Sequence, residues 1–302
     1  MLDILARAAC YIAIIVMGNV LRRMGFFGEE TFGVLSKIVI KITLPAALIA
    51  SSANKPIDAE MLTISLLGLG CGVLYMILAF LLNLRADREQ RAFAVVNTPG
   101  YNIGTFALPF TSSFLGPVGV LTTSLFDVGN SFVVLGGSFG VARAVKEGGK
   151  VDIKRVLKAP FSSIPFLTHL VMVTLNLNGW QLPSPVLSLA QIIGNANAFL
   201  AMLMIGVGFK LSGDKSQLGS IVKILSVRYG LAAVLAAAFY LLLPFDLEIR
   251  QTLAILAFAP IGSAVPVFTA ELKSDVGLSS AINSISIVIS IVIIVTLLMV
   301  ML

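Results

Sequence analysis

AVVNTPGYNIGTFALPF, residues 94–110, is apolar at both ends and carries turn chemistry in its middle, Asn97-Thr98-Pro99-Gly100-Tyr101-Asn102. The flanks are oily enough to cross a bilayer. Proline removes a helix donor and clashes with the preceding turn, so a continuous helix is not expected here. Backbone freed at membrane depth is tolerated only inside protein or along a wet cavity. The stretch therefore predicts an interrupted helix whose break lines something other than lipid.

The surrounding composition agrees. Of 302 residues, 58% are hydrophobic and 12% are charged. A soluble domain carries about 25% charged residues, so the chain reads as an all-α polytopic membrane protein. Spans of about 20 apolar residues are expected at 4–21, 31–52, 61–83, 91–114, 117–142, 159–177, 185–209, 219–243, 249–271 and 276–302. The N-terminus lacks a basic leader and a cleavage site, and reads as a retained first span. Cys10 and Cys71 lie in apolar runs, and neither a disulfide framework nor a metal spacing follows from them.

The net charge is +6, but the basic residues sit in loops and speak to orientation rather than to nucleic acid. Loops after odd-numbered spans hold Arg22, Arg23, Arg85, Arg88, Arg91, Arg143, Lys146, Lys150, Lys154, Arg155, Lys158, Lys210, Lys215, Lys223 and Lys273. Loops after even-numbered spans hold Lys55 and Arg250. This imbalance puts both termini outside the cytoplasm and the central loop, 143–158, inside it. That loop divides the chain into repeats of five spans, 1–142 and 159–302. An odd number per half inverts the second repeat. Residues 35–50 can be laid on 189–204, and 94–106 on 254–266. Pro99-Gly100 then falls beside Ala259-Pro260, and Asn102 on Gly262. Paired interruptions in two halves mark the binding site of a secondary transporter.

The chain resembles the auxin efflux carrier family in its short-looped bacterial form. The resemblance is carried by GNVLRRMG (18–25), LSKIVIKITLPAALIAS (35–51), NTPGYNIGTFALPF (97–110), MIGVGFKL (204–211), Arg228 and APIGSAVPVFTAEL (259–272). It implies a ten-helix carrier of the bacterial inner membrane with two crossed broken helices, spans 4 and 9, related in fold to bile acid symporters and sodium/proton antiporters. Spans 1, 2, 6 and 7 would form a scaffold, and spans 3–5 and 8–10 a moving transport domain. Small organic anions are the implied substrates, including dicarboxylates such as malate and malonate, and dimers through the scaffold are implied too. The family often has Asn soon after the proline of span 9. Here the run is Pro260-Ile261-Gly262-Ser263, so no relative's substrate carries over.

Candidate binding residues follow from the two breaks. Asn97, Pro99, Gly100, Tyr101 and Asn102 supply donors, acceptors and half-helix ends from span 4, and Pro260, Gly262 and Ser263 the counterpart from span 9. Lys41, about ten residues into span 2, is either the countercharge for an anion or the structural partner of Asp127. Asp127, with Asn130 at i+3, is either a proton acceptor coupling transport or a residue neutralised by Lys41. Lys37 reads as snorkelling and Arg228 as an interface anchor. Asn195 and Asn197 fall on the repeat equivalents of Lys41 and Thr43 and suit helix–helix hydrogen bonds. His169 reads as a satisfied interhelical hydrogen-bonder. No resident cofactor is expected, with proton or sodium coupling both open.

Two rival functions remain. A sodium-coupled symporter or cation/proton antiporter would want more intramembrane carboxylates than Asp127. A membrane hydrolase could use GGSFG (136–140) with Ser138 and His169, although a G-x-S-x-G nucleophile needs a strand-to-helix turn. Helix packing explains those glycines, and GLGCG (68–72), more simply.

Overall fold

The computed structural model describes residues 2–53, 61–210 and 217–301. Lys55 and Lys215 lie outside them. The described residues are helical and contain no strand. Among the described residues, seven helices are long and apolar enough to cross a membrane: α1 (Leu2–Arg23), α2 (Thr31–Ser52), α3 (Thr63–Leu81), α6 (Pro117–Glu147), α9 (Ser184–Gly208), α10 (Leu218–Leu242) and α13 (Val276–Met301). Between α3 and α6 run two shorter helices, α4 (Arg88–Asn97) and α5 (Leu108–Phe114). Two more, α11 (Leu247–Ala257) and α12 (Val265–Glu271), run between α10 and α13.

The central segment is more structured than a loop. Asp152 caps a short helix, α7 (Ile153–Lys158), by accepting the Arg155 amide at 3.0 Å. Extended Ser163 then turns the chain by 79° into α8 (Ile164–Leu177). Together these two form an eighth candidate span.

Two prolines reshape their helices. Pro45 and Pro109 cannot donate to the carbonyls of Lys41 and Thr105. The chain widens just before each into a five-residue π turn, Val39–Thr43 and Ile103–Ala107. The turn in α2 lets Leu44 donate to the Val39 carbonyl, and the turn entering α5 lets Leu108 donate to that of Ile103.

Packing gathers the helices into two groups. In one, α1 and α2 lie on α9, and α2 also meets α8. In the other, α3 and α4 pack on α6, α10 on α11, and α12 on α13, with α11 also against α6. Contacts of α6 with α2 and α8 join the groups. Glycines set the closest approaches. A Cβ on Gly129 would overlap the Ser65 carbonyl, and one on Gly68 that of Phe126. Likewise, a Cβ on Gly206 would overlap the Ile15 carbonyl, and one on Gly18 would lie 2.6 Å from the Leu203 oxygen. GLGCG is therefore a packing face. Large apolar side chains such as Val16, Ile42, Val234 and Val292 point outward, which suits a lipid surround.

Candidate functional site

Both proline-glycine runs interrupt their helices. α4 starts at an Asp87 cap, whose carboxylate accepts the Gln90 amide at 2.7 Å, and ends at Asn97. Gly100 then adopts φ +80°, a conformation that side chains resist, and Asn102 sits at φ −80°, ψ 74° before the π turn. In the second run α11 stops at Ala257, and helix resumes at Val265. The two breaks touch. The Asn102 amide donates to the Pro260 carbonyl at 2.8 Å.

A buried cation binds the breaks together. Arg228 is fully buried near the middle of α10. Its guanidinium donates to Thr98 O at 3.0 Å, to Ala259 O at 2.7 Å and, more weakly, to Pro260 O at 3.4 Å. These carbonyls end the two first half-helices, where the helix dipole is negative. The rings of Tyr101 and Tyr75 lie 4.4 and 4.8 Å from the guanidinium carbon. No ion pair among the described residues involves Arg228. Reading Arg228 as an interface anchor is thus wrong. It lies eleven residues into a 25-residue helix, and that depth was the available signal.

Amides on the flanking helices hold each break open. Asn130 accepts the Tyr101 N–H at 2.9 Å and donates to the Tyr101 carbonyl at 2.9 Å, gripping both backbone groups. It also donates to Asp127 Oδ1 at 2.9 Å. On the opposite break, Asn283 donates to Ile261 O at 3.0 Å and Gly262 O at 3.2 Å, and Ser286 accepts the Ile261 N–H at 3.2 Å. Tyr101 and Ile261 are the positions that the internal alignment superposes. Thr43 and Asn197, another superposed pair, hydrogen-bond to each other at 3.0 Å.

The candidate residues divide by their surroundings. Asn97, Pro99, Gly100, Tyr101, Asn102, Pro260 and Gly262 are all buried at the crossing, and Ser263 is half-buried. Asn97 is occupied within the protein. It donates to Phe93 O at 3.0 Å and Thr269 Oγ1 at 3.2 Å, and accepts from Ser279 Oγ at 2.5 Å. Asn102 differs. Its Oδ1 accepts from Thr105 Oγ1, while its buried Nδ2 has no hydrogen-bond partner.

Lys41 and Asp127 are not paired. Lys41 is exposed on the π turn of α2, and Lys37 is exposed too. Three residues after Lys41, Leu44 Cδ2 stands 2.7 Å from where a Cβ on Gly104 would be, so Lys41 lies about one turn from the crossing. Asp127 instead approaches His169, with Oδ2 3.5 Å from Nε2. That Nε2 is buried and makes no hydrogen bond, which corrects the expectation of a satisfied histidine. The same Asp127 oxygen lies 3.7 Å from the Gly104 Cβ position. Ser138 donates to Val133 O at 3.1 Å from within α6, so GGSFG has no strand-to-helix elbow.

Comparison with known proteins fits this arrangement. A family profile described as "Membrane transport protein" matches residues 4–155, just over half of the chain. An uncharacterized transporter of Methanothermobacter thermautotrophicus is 23% identical over 206 residues, which span 67% of this chain and 66% of that protein. The match thus covers just under two thirds of the relative's length. An all-helical chain with several apolar spans, tied at a crossing of interrupted helices and matching this profile, is a multi-pass membrane protein belonging to the membrane transport protein family, that of the auxin efflux carriers.

Proposed function

We propose that this chain is a secondary carrier of small organic anions, either mono- and dicarboxylates such as malate and malonate or auxin-like acids. It works by alternating access, with the substrate carboxylate at the crossing. The observation that carries this reading is the Arg228 clamp. A cation that no acid among the described residues neutralises, between two carbonyl ends, makes the crossing attractive to an anion. The unpartnered Asn102 Nδ2 and the start of the half-helix after it supply donors for a carboxylate. Lys41, exposed about one turn from the crossing, supplies a second countercharge.

Counting each interrupted pair as one crossing, and residues 159–177, through α8, as another, gives ten spans in two inverted repeats of five. The hydrogen bond between Thr43 and Asn197 and the matched Asn130 and Asn283 grips support that symmetry. In this reading 1–142 and 159–302 are the repeats, 143–158 is a cytoplasmic linker in a bacterial inner membrane, and both termini lie outside. The group of α1, α2, α8 and α9 is the scaffold, through which a homodimer would form. The other group is the transport domain, which rocks or rises against it. Sodium coupling at the crossing is disfavoured, because the carbonyl ends that would hold a cation already hold Arg228.

The test is thermal stability of the purified protein against malonate, malate, acetate and indole-3-acetate, with and without sodium. A binding acid raises the melting temperature by mass action, and Asn102→Ala removes that rise. Stabilisation by sodium alone, with none by any acid, overturns the reading.

A further inference from the structure

Asp127 already stands as the candidate for coupling, and the geometry points to a partner for it. We propose that His169 and Asp127 together hold the coupled proton, as an imidazolium–carboxylate pair that bolts α8 to α6 while loaded. The proposal rests on the carrier reading above.

Four observations converge. His169 lies on α8, in the group that includes α1, α2 and α9, whereas Asp127 lies on α6 in the other group, so the pair straddles the face along which the groups would move. His169 Nε2 is buried, makes no hydrogen bond, and stands 3.5 Å from Asp127 Oδ2. One turn before Asp127, Ser124 Oγ is likewise buried without a partner. Ser124 and His169, but not Asp127, line a small cavity closed by Ser52, Met172, Val173 and Asn176, with room for about one water. Small-molecule cargo does not fit there, but a water delivering a proton does.

The charged surroundings single out the pair. On α8, His169 is the sole titratable group. The lysines of α2, Lys37 and Lys41, are exposed. On α3, Cys71 and Tyr75 lie by Tyr101 and Arg228. Of α11, Glu248 accepts the Gly119 amide at 3.2 Å, about two turns from Asp127, and Arg250 donates to Tyr240 O at 2.9 Å. At the far end of α6, Lys146 and Glu89 pair with each other, and so do Arg143 and Glu147. Asp127 is thus the one carboxylate against the imidazole among the described residues.

The step is a proton transfer alone. Hydronium or water gives a proton to Nε2, and the imidazolium faces the carboxylate across the interface. Loss of that proton to water leaves a neutral ring with no charge to hold α6. Asp127 is already tied through Asn130 to both backbone groups of Tyr101, so the pair's state reaches the crossing directly.

His169 is the chain's sole histidine, so histidine-selective isotope labelling gives a single imidazole signal. Between pH 5 and 8.5 that signal should move in the wild type, and Asp127→Asn should alter the movement. The wild-type melting temperature should fall by about 2–4 °C across the titration, while His169→Gln and Asp127→Asn stay flat. Malonate uptake into proteoliposomes should lose its dependence on an imposed pH gradient in His169→Gln. An imidazole that does not titrate, or one whose titration ignores Asp127→Asn, overturns the pair. So does gradient-driven uptake unchanged in His169→Gln. A titrating, Asp127-dependent imidazole in a protein that neither binds nor moves any of the four acids upholds the pair and refutes the carboxylate reading instead.

Discussion

Replacing Arg228 by methionine keeps much of the side-chain volume and removes the clamp. Two short charge-assisted hydrogen bonds are lost, to Thr98 O at 3.0 Å and Ala259 O at 2.7 Å. Each carbonyl then stays buried without that donor, at about 1–3 kcal/mol apiece. The contact with the two tyrosine rings goes as well. Against this, the cost of holding a charge away from water disappears, which offsets part of the loss. A net destabilisation of about 3 kcal/mol is expected, seen as a fall of roughly 5–10 °C in melting temperature. Arg228→Lys keeps the charge but lacks the planar fork, and should lose about half as much. Transport should drop at least about tenfold in both, because the half-helices lose their alignment. Arg85→Met, at an exposed position, serves as the control and should shift by about 1 °C or less. Thermal unfolding in detergent and uptake into proteoliposomes measure both effects. If Arg228→Met matched the wild type in melting temperature and uptake, the clamp would carry no weight.

Other expectations can be checked alongside. Gly129→Ala and Gly206→Ala should each disrupt the fold, with poor yield of monodisperse protein, because the added Cβ meets a backbone carbonyl on the neighbouring helix. Gly70→Ala on α3, where the added Cβ meets nothing within 4 Å, should be neutral or slightly stabilising. Lys41→Ala should weaken affinity for the stabilising acid by about tenfold in ligand-titrated thermal shifts, without changing the unliganded melting temperature. Glu89 is exposed, and its hydrogen bond from Lys146, then that from Ser274, hold its carboxyl below the ordinary carboxylate range. Its contribution is therefore present above the ordinary carboxylate value and lost as pH falls through the lowered one. Solvent screening keeps it small, so Glu89→Gln should change the melting temperature at neutral pH by about 1 °C or less and remove that acid-side decline.

Local rules made the breaks readable. Pro99-Gly100 and Pro260 interrupt helices whatever surrounds them, and hydropathy located the long helices. The grip of Asn130 on the crossing followed in outline, since Asp127 and Asn130 share a helical face. What stayed hidden depends on contacts distant in sequence. Arg228 meets carbonyls from two other segments, so only its depth in α10 hinted at its role. Opposite charge at mid-span suggested Lys41 as the partner of Asp127, yet Lys41 is exposed and unpaired with it, and His169 of α8 is the group that approaches Asp127. The π turns entering Pro45 and Pro109 had a visible cause in those prolines, although proline alone does not specify whether a helix kinks or widens.

The bond from Asn102 to Pro260 has a thermodynamic corollary. Stitched to each other and to Arg228, the two breaks form one rigid piece, and a carrier that moves such a piece offers its cargo the same groups whichever side it faces. In the proposed carrier the crossing's share of the affinity is then alike at the two surfaces, and any difference comes from Lys41 on the other group. Such a carrier has no built-in direction: it runs as an importer or an exporter according to the gradients placed across it.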